Sequence, residues 1–117
     1  MQKSGQAATS AAVSGAIFYR QRVALPPGVS VHVKLVDISK QDVFAVPIAE
    51  QIITGPVRMP VPFELRYDPD KIDPRFTYAV QARISDGERL LFITTQVFPV
   101  ITRGHPTRVE VRVDTVH

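Results

Sequence analysis

A chain of 117 residues, 44% hydrophobic and 21% charged, has the size and balance of one folded domain and leaves no room for a second. It contains no cysteine, which excludes disulfides, thiolate nucleophiles and cysteine-ligated metal centres, and no run of 18 apolar residues that would span a membrane as a helix. The balance of 14 Lys and Arg against 11 Asp and Glu gives a net charge of +3. That is mild, and Arg108, Glu110, Arg112 and Asp114 alternate in sign, whereas a nucleic-acid reader gathers its cations on one face.

After Met1, residues 2–12 are Gln, Lys, Ser, Gly, Ala and Thr with no apolar period, so residues 1–12 have the composition of a flexible tether; the folded domain is expected over residues 13–117. From Val13 the chain alternates, with Ile17, Tyr19 and Val23 offset from Arg20 and Arg22, until Pro26, Pro27 and Gly28 end the strand. Val29, Val31, Val33 and Leu35 then fall at every second position between Ser30, His32 and Lys34, the pattern of a half-buried strand. Residues Val43 to Thr54 suit either a helical turn or an edge strand; Pro47 favours the edge, because it cannot donate to a ladder.

Val61, Phe63, Leu65 and Tyr67 share one face of the next strand, and Asp-Pro steps at Asp68 and Asp73 set a turn. Phe76 to Ile84 alternates again and runs into Asp86-Gly87, a hairpin signal because both residue types tolerate positive φ. Two registers are compatible with that turn. A two-residue loop pairs Val80 with Ile93 and Ala82 with Leu91; a three-residue loop with a bulge brings Leu90 and Phe92 inward. The returning arm is expected from Arg89 to about Val100, and Val109, Val111 and Val113 close the chain. About seven strands with no convincing helix predict a single antiparallel β-sandwich, immunoglobulin-like or Greek-key. Tyr78 stands where such sandwiches place a tyrosine whose hydroxyl bonds to upstream backbone.

Chemistry-bearing constellations are sparse. His32, His105 and His117 show no His-x-His or His-x-x-x-His spacing, so surface histidines are expected rather than a metal site. Asp68, Asp70 and Asp73 sit beside Pro69, Lys71 and Pro74, where aspartate bonds its own backbone to set turns. Asp37 ends a strand, and Ser30, Ser39 and Ser85 lie at strand edges or turns with no Gly-x-Ser-x-Gly elbow. No catalytic residue and no cofactor are therefore expected. The apolar run Phe98, Pro99, Val100, Ile101 reads first as a core strand bending at Pro99, and second as a place where a partner strand or helix docks.

Several stretches in order resemble the YbaY/YscW family of bacterial lipoproteins, some of which are secretion-system lipoprotein chaperones, or pilotins. They are the Gly15 strand into Leu25-Pro26-Pro27, Val33 to Ser39, Ile48-Ala49-Glu50-Gln51, and Val61 to Leu65 with Tyr67-Asp68-Pro69. Ile72 to Arg75, Tyr78 to Ile84, Leu90-Leu91-Phe92 and Thr102-Arg103-Gly104 continue the match. The resemblance implies export, acylation of a cysteine after a signal peptide, and an outer-membrane anchor facing the periplasm. Neither signal nor cysteine is present here, and the loose stretch 2–12 fits a chain cut after them. The implied function is a non-enzymatic periplasmic domain that binds an envelope or secretion-system protein as an assembly chaperone. The alternative is a module for envelope glycan or another polyanion, using Arg20, Arg22, Arg83 and Arg89.

Overall fold

The computed structural model describes residues 11–39 and 47–116. Its strands are β1 (Ala11–Phe18), β2 (Val29–Asp37), β3 (Ala49–Thr54), β4 (Val61–Tyr67), β5 (Tyr78–Asp86), β6 (Arg89–Ile93), β7 (Pro99–Val100), β8 (Arg108–Arg112) and β9 (Asp114–Thr115). One sheet has the order β4-β1-β8; the other runs β3-β2-β5-β6-β9, with β7 beside the far end of β5. Seven strand paths make up the sandwich, because β6 with β7 and β8 with β9 are each one strand interrupted.

Alternation explains why these segments pair as they do. Val29, Val31, Val33 and Leu35 of β2 meet Val80, Ala82 and Ile84 of β5, while Val61, Phe63 and Leu65 of β4 close from the opposite sheet with Val13 and Ile17 of β1; all are buried. Successive side chains on a strand point to opposite faces, so the polar partners Ser30, His32 and Lys34 are carried outward. Over Ala49–Thr54 the expected edge position is observed, since among the described residues β3 pairs only with β2.

Four details depart from the sequence expectations. The first strand begins at Ala11, not Val13, because Ala11 and Ala12 already ladder with Tyr67 and Arg66; backbone groups make those bonds and need no apolar period. The rest of the expected tether, residues 1–10, lies outside the described residues, as does part of the ambiguous segment, 40–46. The sandwich is antiparallel except for β1 and β8, which run parallel with Gly15 opposite Val109. The hairpin turns on Gly87-Glu88, with Asp86 opposite Arg89 and φ of +61° at Gly87, the pattern of a II′ turn. A bulge then shifts the register between Ser85 and Ile84, skipping Leu91 so that Phe92 meets Ile84. Phe92 is thereby buried while Leu90 stays exposed, a mixture that neither simple register contains. Finally, the returning arm breaks after Ile93 and resumes at Pro99, and the last strand changes sheets at buried Val113.

Two contacts lock this arrangement. The hydroxyl of buried Tyr78 accepts the backbone N–H of Asp73 at 2.9 Å, pinning the turn between β4 and β5 as the tyrosine's position predicts. Gly15 is a matter of space: a Cβ there would lie 1.7 Å from the carbonyl oxygen of Val109, inside any tolerable contact. Tyr78→Phe should lower stability by about 1–3 kcal/mol in denaturant titration, because the Asp73 N–H loses this acceptor in a partly buried site. Gly15→Ala should cost about 3 kcal/mol or more, since the obstacle is backbone that cannot rotate aside; an unchanged denaturant midpoint would contradict the close approach of β1 and β8.

Candidate functional site, an apolar cleft at the end of the sandwich

After β1 the chain bends at Arg20 and Gln21 and continues without regular structure to Pro26 before turning into β2. Tyr19 fixes its path. Its ring stacks on Phe92 with centroids 4.5 Å apart and planes 11° from parallel, and its hydroxyl donates to the carbonyl of Val23 four residues on. Partial burial raises the Tyr19 hydroxyl above the ordinary tyrosine pKa, which keeps it a neutral donor. This clamp holds Val23 to Pro26 away from β6 by the width of a cleft.

The cleft has a volume of about 370 Å³ and lies between Val23 and Leu25 on one side, Leu90 and Phe92 on another, and Thr115 and Val116 on a third. Its rim is apolar and open: Val23 is 53%, Leu90 37% and Val116 41% exposed. The bulge at Leu91 leaves Leu90 at this rim, and the sheet change at Val113 delivers Thr115 and Val116, through pairing of β9 with β6. Arg89 and Asp86 border the same cleft. Such a concavity offers apolar area and shape to a ligand.

Of the residues singled out from sequence, Asp86 and Arg89 border this cleft and the run Phe98 to Ile101 lies elsewhere. Val100 is wholly buried and pairs with Tyr78, and Phe98 is tied to β5 through its carbonyl, which accepts from Val80 N–H at 3.1 Å. Phe98, Pro99 and Ile101 are half-buried, so a partner at this run would meet only their outer parts. Ile101 holds φ of +76° at the centre of a γ-turn closed by Thr102 N–H on the carbonyl of Val100, a strained conformation for a β-branched residue. Asp86 closes the last pair before the Gly87-Glu88 turn and itself borders the cleft.

The carboxylates turn back on their own chain. Asp68 accepts from Asp70 N–H, and Asp73 accepts from the backbone and guanidinium of Arg75; that bonding holds the Asp73 carboxyl down at about 2. Asp37 accepts from Ser39 N–H, whose hydroxyl in turn takes the N–H of Thr77. His32 bonds Glu50, His105 lies in the turn before β8, and His117 is outside the described residues. Among the described residues no three His, Cys, Asp or Glu side chains converge on one point. Of the four arginines, Arg89 borders the cleft, Arg20 and Arg22 precede its wall, and Arg83 lies out on the sheet face, so they do not form one patch.

The cleft is not foreshadowed by any motif in the sequence. Val23, Leu90 and Val116 are single apolar residues far apart in the chain, and only the Pro26-Pro27 stop after Val23 and Leu25 hints at a segment outside the sheets.

Comparison with known proteins places this fold. Residues 8–113 match the model of the family described as type III secretion system lipoprotein chaperone, YscW. The uncharacterized lipoprotein YbaY of Escherichia coli K12 is 36% identical over 93 residues, covering 79% of this chain and 49% of that protein; the chain spans about half of that relative's length. The solved structure of an alternative pilotin from the type II secretion system of Vibrio cholerae superposes with a TM-score of 0.86 at 35% identity, over 92% of this chain and 98% of that one. A β-sandwich with this order of strands, matched along nearly its whole described length, belongs to the YscW family of secretion-system lipoprotein chaperones.

Proposed function

We propose that the domain is a non-enzymatic module of a bacterial envelope lipoprotein, held in the periplasm at the outer membrane, which receives an apolar segment of a secretion-system subunit in the end cleft and acts as its assembly chaperone. The observation that carries this reading is the open apolar rim formed by Val23, Leu90 and Val116. Exposed apolar side chains gathered around a concavity mark a contact surface in a way that scattered ones do not. The chaperone description of the family and the likeness to a pilotin support the kind of partner. The occupant we favour is the C-terminal tail of a secretin subunit, whose apolar side chains would replace water in the cleft. Arg83 lies apart from the other three arginines, and a glycan would leave the apolar rim of the cleft unused, which gives the glycan alternative no comparable support.

A peptide of the secretin tail encoded in the same genome tests the proposal by calorimetry. Binding should persist in about 0.5 M salt, where charge attractions reach only a few ångströms. Leu90→Asp should weaken it about tenfold or more, since a buried leucine contributes roughly 1.5–3 kcal/mol. Arg20→Ala combined with Arg22→Ala should leave it unchanged. Loss of binding in salt or in the arginine variant, with Leu90→Asp silent, would reverse the assignment.

A further inference from the structure

The outward face of the larger sheet carries a second, differently built surface. Side chains there line up across the strands: Ile52 of β3, His32 of β2, Arg83 of β5 and Ile93 of β6 are successive register partners. Glu50, Lys34 and Gln81 form the adjoining row. Directly opposed Lys34 and Glu50 have the placement of a cross-strand ion pair, yet Glu50 Oε1 reaches diagonally to His32 Nε2 at 2.7 Å. Neither Lys34 nor Arg83 makes an ion pair among the described residues. Both cations line one groove of about 200 Å³, together with His32, Gln81, Ala82, Ile93 and Thr94. Apolar residues stand at the two ends of the row, Ile52 62% and Ile93 37% exposed.

We infer that this face binds an extended acidic segment of a partner protein, with one carboxylate between Lys34 and Arg83 and an aliphatic side chain against each of Ile52 and Ile93. Charge selects the centre, because two unpaired cations facing one groove attract a carboxylate and repel a basic segment. Geometry selects the spacing. Ile52 and Ile93 are three strand separations apart, roughly 14 Å. In an extended chain residues i and i+4 lie on the same side about 13 Å apart with i+2 midway, so an aliphatic-x-acid-x-aliphatic sequence laid across the strands matches the row. A sulfated or phosphorylated glycan would use the two cations but would gain nothing from the isoleucines, which favours a peptide. The end cleft contributes no residue to this surface, so the inference goes beyond the cleft's proposed function and stands or falls separately.

The probe is the blocked heptapeptide Ser-Leu-Ser-Glu-Ser-Leu-Ser, titrated to millimolar concentration into nitrogen-15-labelled protein and followed by amide chemical shifts. Shifts should concentrate at residues 30–34, 50–53, 81–84 and 92–94. Replacing the peptide Glu by Gln, or Lys34→Gln or Arg83→Gln in the protein, should weaken binding about two- to fivefold, the range of half-exposed charge contacts. Peptide with both Leu residues changed to Ser should weaken comparably, and so should Ile93→Ser. Each of these side chains is at least partly exposed, and an otherwise unchanged spectrum verifies folding. No shifts at millimolar peptide, shifts confined to residues 23–26 and 115–116, or equal binding of the Gln peptide would overturn the inference. So would dextran sulfate perturbing these amides where the heptapeptide does not, which would make the face a polyanion site.

Discussion

Much of this fold depends on the close approach of two backbones at Gly15. With no side chain at that position, β8 can lie parallel against β1 with the Val109 carbonyl where a Cβ would otherwise be. Held there, the chain has Phe18 and Val113 side by side, and the Val113 N–H donates to the Phe18 carbonyl. Val113 buries its side chain in the core, and the next residues leave the small sheet to pair with β6. The third wall of the end cleft therefore depends on a missing methyl group at the middle of the first strand. Moving β8 outward by even the width of one carbon would displace Thr115 and Val116 as well, because cores transmit such shifts rather than absorb them.

The other two walls arise from local irregularities in otherwise regular strands. One is the bulge at Leu91, which rotates Phe92 into the core and leaves Leu90 outside; bulges commonly re-aim side chains next to functional sites. The other is the Tyr19 clamp, stacked on that same Phe92 and bonded to Val23. Phe92 is thus shared: its turn inward provides the platform on which the opposite wall is oriented. A cleft whose rim is apolar while its support is rigid loses little conformational freedom when occupied, which is the condition under which modest apolar area yields useful affinity.

The stability predictions at Gly15 and Tyr78 concern features that differ in legibility. Strands β2 and β4 can be read directly, because Val29 to Leu35 and Val61 to Tyr67 obey a period of two and local pattern decides which face is buried. Tyr78 can be read from its place after the Ile72-Asp73-Pro74 turn. The hairpin is located by Asp86-Gly87, but its register is not, since a bulge depends on what the facing strand must bury and leaves no local mark. Val109, Val111 and Val113 alternate without interruption, so nothing in them announces a change of sheet between Arg112 and Asp114. The Gly15 requirement belongs to Val109, 94 positions away by sequence number. Residues of the cleft are brought together only by those non-local events, whereas Phe98 to Ile101, conspicuous as an apolar run, packs against the core with only Val100 fully buried.

Chain direction gives the two surfaces different outlooks. β1 enters the sandwich at Ala11, opposite Tyr67, and leaves it at Phe18 beside the cleft. Eight extended residues cover about 26 Å, so the cleft lies at the far end from the point where upstream chain joins the domain. The cationic row on the larger sheet lies along the side of the same body, its strands running between the two ends. A partner that filled the cleft and continued along that side would meet first an apolar surface and then a cationic one.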